Sequence, residues 1–107
     1  MGGGKSRRHS RAASPKPLVG LAWYDPAQWA KLKQIAADAA ALDESHAAWQ
    51  RGAERTEREL SRQGVVVRRV PIDVDALVEW CRARKEPLTG AARAEYTGEI
   101  LRGATLP

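Results

Sequence analysis

Residues 18–32, "LVGLAWYDPAQWAKL", hold the reading on which the fold turns. The stretch 18–24 is a nearly continuous apolar run, too short for a helix, and it reads as a short buried strand. Asp25 then occupies a helix N-cap position and Pro26 the first helical position, where a missing N–H costs nothing. Gln28 falls third, where it completes a capping box. Tyr24 precedes the cap and Trp29 is the fourth helical residue, the spacing of a hydrophobic staple. The aromatic cluster is therefore first a device that fixes how a strand enters a helix. Beyond it, Leu32, Ile35, Ala36 and Ala39 form an apolar stripe, with Lys31, Lys33, Gln34 and Asp38 largely off it.

From Leu42, steps of four and three place Leu42, His46, Trp49, Ala53, Thr56 and Leu60 on one seam of a second helix, with Asp43 as its cap. Arg51, Glu54, Glu57, Arg58 and Arg62 lie elsewhere, and the pairs Glu54–Arg58 and Arg55–Glu59 have i,i+4 spacing. The seam is weakly apolar, so it requires a partner layer. Gly64 stands where a left-handed C′ residue is wanted, and Val65 can touch Leu60 as in a Schellman stop.

"VVVRRVPI" (65–72) reads as a second strand, with Pro71 near its end because proline cannot donate to a ladder. Arg68 and Arg69 break its alternation, which sends one of them to an edge or rim. Asp73 caps a third helix stapled by Ile72 and Leu77, with Val74, Leu77, Val78 and Cys81 as its buried stripe, Trp80 flanking it, and Pro87 ending it. Thr89 opens a fourth helix through Ala92, Tyr96, Ile100 and Leu101 that frays by Gly103. The order strand-helix-helix-strand-helix-helix predicts a helix-dominated small α+β domain over 18–107 with a two-stranded sheet. The two intervening helices permit a parallel pair, and an antiparallel pair is also feasible.

Charge is distributed unevenly. Residues 1–17 hold Lys5, Arg7, Arg8, Arg11 and Lys16 and no acid, whereas the remaining 13 Lys/Arg face 13 Asp/Glu, so the net charge of +5 belongs to the leader. With no aliphatic residue larger than Ala between Met1 and Leu18, the leader reads as a disordered basic tail. Its five cations would give salt-sensitive, sequence-independent nucleic-acid association. It lacks the apolar run of a secretory signal, no stretch approaches 18 apolar residues, and Cys81 is the single cysteine. These features point to a cytoplasmic protein with no membrane partner and no internal disulfide.

Catalytic chemistry finds little support. "GGGKS" (2–6) ends like a phosphate-binding loop but lacks the earlier glycine, the preceding strand and the following helix. Arg7-Arg8-His9-Ser10 resembles a basophilic kinase site, a match common in basic tails. Asp43 and His46 offer two metal ligands where zinc needs three or four, and a histidine beside Trp49 on a seam reads first as packing. Cys81 lies on an apolar stripe, and His46 reaches it only if the second and third helices pack in that register. Asp73, Asp75 and Glu79 crowd a helix start, where acids complement the dipole. No catalytic residue, cofactor or metal site is assigned.

Four tryptophans without a phenylalanine are the remaining signal. Trp29 and Trp49 fall on buried seams, whereas Trp80 is off-centre and, beside Arg82 and Arg84, is expected to form a protein-contact patch. The leading expectation is a non-enzymatic protein-binding or adaptor domain acting through Trp80, Arg82 and Arg84. Its rivals are nucleic-acid association through the tail and a small ligand-binding protein or enzyme using His46 and Cys81. Ala53 and Thr56 also leave room for a homodimer.

The series Trp23-Tyr24-x-Pro26-x-x-Trp29, Leu42…Trp49, Gly64-x-x-Val67-x-x-Val70-x-Ile72-Asp73-Val74-x-x-Leu77-x-x-Trp80-Cys81, Pro87 and Arg93-x-x-Tyr96 resembles a family of short bacterial proteins of unknown function. The likeness spans about residues 18–103. It implies a bacterial cytosolic protein and brings no activity or catalytic residues with it.

Overall fold

A computed structural model describes residues 16–103. Strands β1 (Leu18–Trp23) and β2 (Val66–Pro71) pair in parallel, from Leu18 opposite Val66 to Trp23 opposite Pro71. A parallel pair requires a crossover that returns the chain to its starting end. Helix α1 (Pro26–Ile35), one 3-10 turn at Ala39–Ala41 and helix α2 (His46–Arg62) make that crossover. Helices α3 (Val74–Ala83) and α4 (Gly90–Leu101) follow β2. The chain thus adopts the expected small α+β architecture, with the strand direction settled as parallel.

The helix starts follow their capping residues. Asp25 Oδ1 accepts from Gln28 N–H at 2.8 Å, and Tyr24 packs edge-on against Trp29 with ring centroids 5.8 Å apart. The second half of the expected capping box is absent. Gln28 Oε1 instead accepts from Val74 N–H at 2.7 Å, so it satisfies a free donor in the first turn of α3. Asp73 Oδ1 caps α3 through Asp75 and Ala76, and Thr89 Oγ1 caps α4 through Ala92. Helix α2 begins later than its seam suggests. Ser45 Oγ accepts from Ala48 N–H, whereas Asp43 stays exposed and gives its carbonyl to Lys33 Nζ. Leu42 therefore precedes the helix and packs on the core from the connecting segment.

Two helices end in Schellman motifs. At α2, Val65 N–H reaches the Leu60 carbonyl and Gly64 N–H the Ser61 carbonyl, both at 3.0 Å, with Gly64 at φ 85°. At α3, Glu86 N–H reaches the Cys81 carbonyl and Lys85 N–H the Arg82 carbonyl. Here the left-handed position, φ 56°, belongs to Lys85. This turn, two residues ahead of Pro87, is what terminates α3.

Successive strand residues point to opposite faces, which places the helices around the ribbon. Arg69 stacks 3.8 Å from the Trp23 ring centroid and forms a two-point ion pair with Glu57 of α2 at 2.6 and 2.9 Å. Its neighbour Val70 is buried on the other face. There the space above Gly20 is filled by Leu101 of α4, and a β-carbon on Gly20 would lie 3.1 Å from Leu101 and 3.2 Å from Val70. Helices α2 and α4 therefore cover opposite faces, and α1 and α3 complete the core. Leu32, Val74 and Leu77 are fully buried at its centre. Burial of each side chain contributes about 1.5–3 kcal/mol.

The outer strand is less covered than its apolar sequence implies. Leu18 and Val19 are exposed, and the rest of β1 is half-buried, because a two-stranded ribbon has only edge strands. Arg68 and Arg69 are both exposed. Ala53, expected to leave room for a second copy, is buried within the chain, where α2 packs on β2.

Candidate functional site

Sequence reasoning placed the contact surface at Trp80, Arg82 and Arg84 with the indole partly exposed, and the structure corrects the exposure of the indole. Trp80 is only 5% exposed. Its Nε1 donates to Glu99 Oε1 at 3.2 Å, Tyr96 packs edge-on at 5.4 Å, and the Arg84 guanidinium lies 4.4 Å from its ring centroid. Arg84 also pairs with Glu95 at 2.8 Å, and Arg82 with Glu79 at 2.5 Å. The indole flanks the α3 stripe as expected, but α4 packs beside that stripe and closes over it. The arginines remain exposed as half of ion pairs.

A second aromatic cluster gathers around the half-buried Trp49, with Tyr24 and Trp29 each 4% exposed beneath it. Trp29 and Trp49 stack with centroids 5.4 Å apart and an interplanar angle of 26°. Tyr24 meets Trp49 edge-on at 5.4 Å, and Trp23 meets it at 5.0 Å. Tyr24, Trp29 and Trp49 form one wall of a half-open cavity of about 360 Å³. Arg93, Ala94 and Thr97 of α4 and residues Ala41–Asp43 supply other walls, and Gly20, Leu21 and Ala22 of β1 run along it. A mostly apolar concavity of this size with a few convergent polar groups is the usual form of a binding site.

The backbone of β1 adds a second feature. The Pro17 carbonyl accepts from Val66 N–H at 2.8 Å and the Trp23 carbonyl from Ile72 N–H at 3.0 Å. In a parallel ladder this register turns the peptide groups of Val19 and Leu21 towards β2 and those of Leu18, Gly20 and Ala22 away from it. No backbone group among the described residues pairs with that outer edge. Gly20 and Ala22 thus present unpaired donors and acceptors beside the aromatic wall.

Polar groups around the cavity are unequally satisfied. Arg93, whose side chain is 14% exposed, donates to both Asp38 oxygens at 2.8 and 2.9 Å. The hydrogen bonds from Arg93 hold the Asp38 carboxyl below the ordinary aspartate value, and Asp38 raises Arg93. Burial pushes the Tyr24 hydroxyl up to about 12, against the opposing pull of the Arg93 charge. Trp29 Nε1 is buried with no hydrogen-bond partner among the described residues. A buried donor left unsatisfied costs about 1–3 kcal/mol.

The other expected site residues are occupied structurally. His46 Nε2 lies 2.6 Å from the Tyr24 carbonyl, which only accepts, so that nitrogen carries the hydrogen. The ring also packs 5.3 Å from Trp49. Cys81 is buried, and burial raises its thiol, followed by the Glu86 charge. The structure does not bring His46 and Cys81 together. Asp73 caps α3, Asp75 pairs with Lys31 at 2.8 Å and Glu79 with Arg82. Among the described residues no cluster of metal-ligating side chains occurs, and no helix is long and apolar enough to cross a membrane. Of the tail cations, Lys16 is exposed, while Lys5, Arg7, Arg8 and Arg11 lie outside the described residues.

Asp38 and Arg93 were missed as a pair because 55 positions separate them. The Arg93-x-x-Tyr96 spacing was the only sequence signal near either one. No family model, curated protein or solved structure matches the chain.

Proposed function

We propose that this domain is a non-enzymatic protein-binding module that receives an extended peptide segment along β1. The observation that carries this reading is the coincidence of an unpaired strand edge at Gly20 and Ala22 with the three-ring wall of Tyr24, Trp29 and Trp49. Main-chain hydrogen bonds to a free edge supply affinity, and a pocket beside the edge selects alternate side chains. The rings favour an apolar side chain at the central position. Arg93 is already held by Asp38, which favours an uncharged segment over a carboxylate.

The test is a titration of isotope-labelled protein with a blocked pentapeptide, valine and threonine alternating around a central leucine. Chemical-shift changes are expected at the Gly20 and Ala22 amides and at the Trp29 indole N–H. The same peptide methylated on alternate backbone nitrogens should not bind, because it cannot donate to the strand edge. Equal binding of both peptides would show a small-molecule-like apolar pocket and overturn the peptide reading. Shifts confined to other residues would do the same.

A further inference from the structure

We infer that the outward ridge of α2 is a docking strip for duplex DNA, separate from the groove beside β1. Arg51, Arg55, Arg58 and Arg62 follow one another at steps of four, three and four, so they form a single line along the helix. The line runs about 16 Å at 1.5 Å per residue. All four are exposed, and they lie opposite the face on which Trp49 and Ala53 pack inward.

Of the four, only Arg62 forms an ion pair among the described residues, with Glu59. Glu54 accepts from Gln50, Glu57 is taken by Arg69, and Glu59 is shared by Arg62 and Gln63. Arg51, Arg55 and Arg58 have no carboxylate within ion-pair distance among the described residues. A shallow depression of about 430 Å³ lined by Glu57, Arg58, Ser61, Arg62 and Val67 lies between the ridge and β2.

Three physical arguments select the occupant. Guanidinium groups bind phosphate through two parallel hydrogen bonds, so a line of arginines suits a phosphodiester backbone. The ridge is convex, and a helix of ordinary diameter enters the major groove of B-form DNA, whereas the deep, narrow major groove of duplex RNA excludes it. A lipid surface would require large apolar side chains beside the cations. Among the described residues the exposed large apolar side chains are Leu18, Val19, Ile35 and Val66, none of them on α2.

The proposal is tested with the full chain, a labelled 20-base-pair DNA duplex and fluorescence anisotropy across about 50–200 mM salt, the range over which phosphate contacts are strongly screened. The ridge variant is R51Q/R55Q/R58Q. A second variant replaces Lys5, Arg7, Arg8, Arg11 and Lys16 by glutamine. The slope of log affinity against log salt should fall by about 0.9 for each ridge arginine removed. It should do so in the tail-neutral background as well, with an unchanged far-ultraviolet spectrum. The same sequence as duplex RNA should bind more weakly. No binding of DNA by the full chain, or a slope that responds only to the tail, overturns the proposal. Equal dependence on the three arginines with polyglutamate or phosphatidylserine vesicles also overturns it.

Discussion

The molecule carries two aromatic clusters that received opposite treatment. Around Trp80, the indole N–H reaches Glu99, Tyr96 covers the ring, and Arg84 lies across it within a set of glutamates. Around Trp49, four rings crowd together beside a cavity, and among the described residues one indole N–H has no acceptor and the neighbouring strand edge no backbone partner. The first cluster joins α3 to α4 with its polar handle satisfied. The second holds β1, α1 and α2 together while leaving hydrogen-bonding capacity unused. Aromatic content alone therefore does not mark a binding surface. Unmet polar groups beside the rings do.

The largest test compares truncations. Trp80→Ala removes a buried, hydrogen-bonded indole and should cost about 3–5 kcal/mol in denaturant unfolding. Trp49→Ala removes a half-buried ring at the cavity wall and should cost clearly less. A reversal of that order would place the structural keystone at the groove and break the contrast.

Next in size is the pair that braces the cavity. Asp38→Asn leaves the Arg93 guanidinium without its carboxylate and should cost about 1–3 kcal/mol at neutral pH. The wild-type chain carries the matching pH dependence. Because the folded-state value of Asp38 is depressed, its contribution is fully present above the ordinary value of 3.8 and is lost as pH falls through the lower folded one. Unfolding free energies measured from pH 5 downward should show this loss in wild type, and Asp38→Asn should lack that component.

A matched pair sharpens the contrast further. Trp29→Phe and Trp80→Phe remove similar volume, but the first deletes an unsatisfied donor and the second deletes a donor that Glu99 accepts. Trp29→Phe should be the milder change by about 1 kcal/mol. The smallest effect concerns helix ends. Lys85→Gly should stabilise the chain by up to about 1 kcal/mol, since a side chain is unfavourable in the left-handed region. Gly64→Ala, at the equivalent turn of α2, should destabilise it by a similar amount.

Much of the scaffold was legible because its determinants are local. Asp25, Asp73 and Thr89 act as caps, Gly64 closes α2, and Tyr24 packs on Trp29, all at spacings readable from the chain. Strand direction was not legible, since alternation is the same in either sense. Ser45 displaced Asp43 as a cap because both residues satisfy the local rule and tertiary packing of Trp49 decides between them. Trp80 was misjudged because its cover comes from Tyr96 and Glu99 on another helix. The groove was invisible for the same reason, since its walls join β1, α1, α2 and α4. The α2 arginine line was present in the sequence, but it emerged as a ridge only once Glu54 was seen to accept from Gln50 and Glu57 to pair with Arg69.

The parallel register has a consequence for how the polypeptide is made. Leu18 and its partner Val66 are about 48 positions apart, so β1 leaves the ribosome long before anything exists for it to pair with. During that interval β1 lacks both its partner strand and α4, the helix that covers Gly20, and a nascent chain halted before Val66 should be a substrate for chaperones rather than a half-built domain.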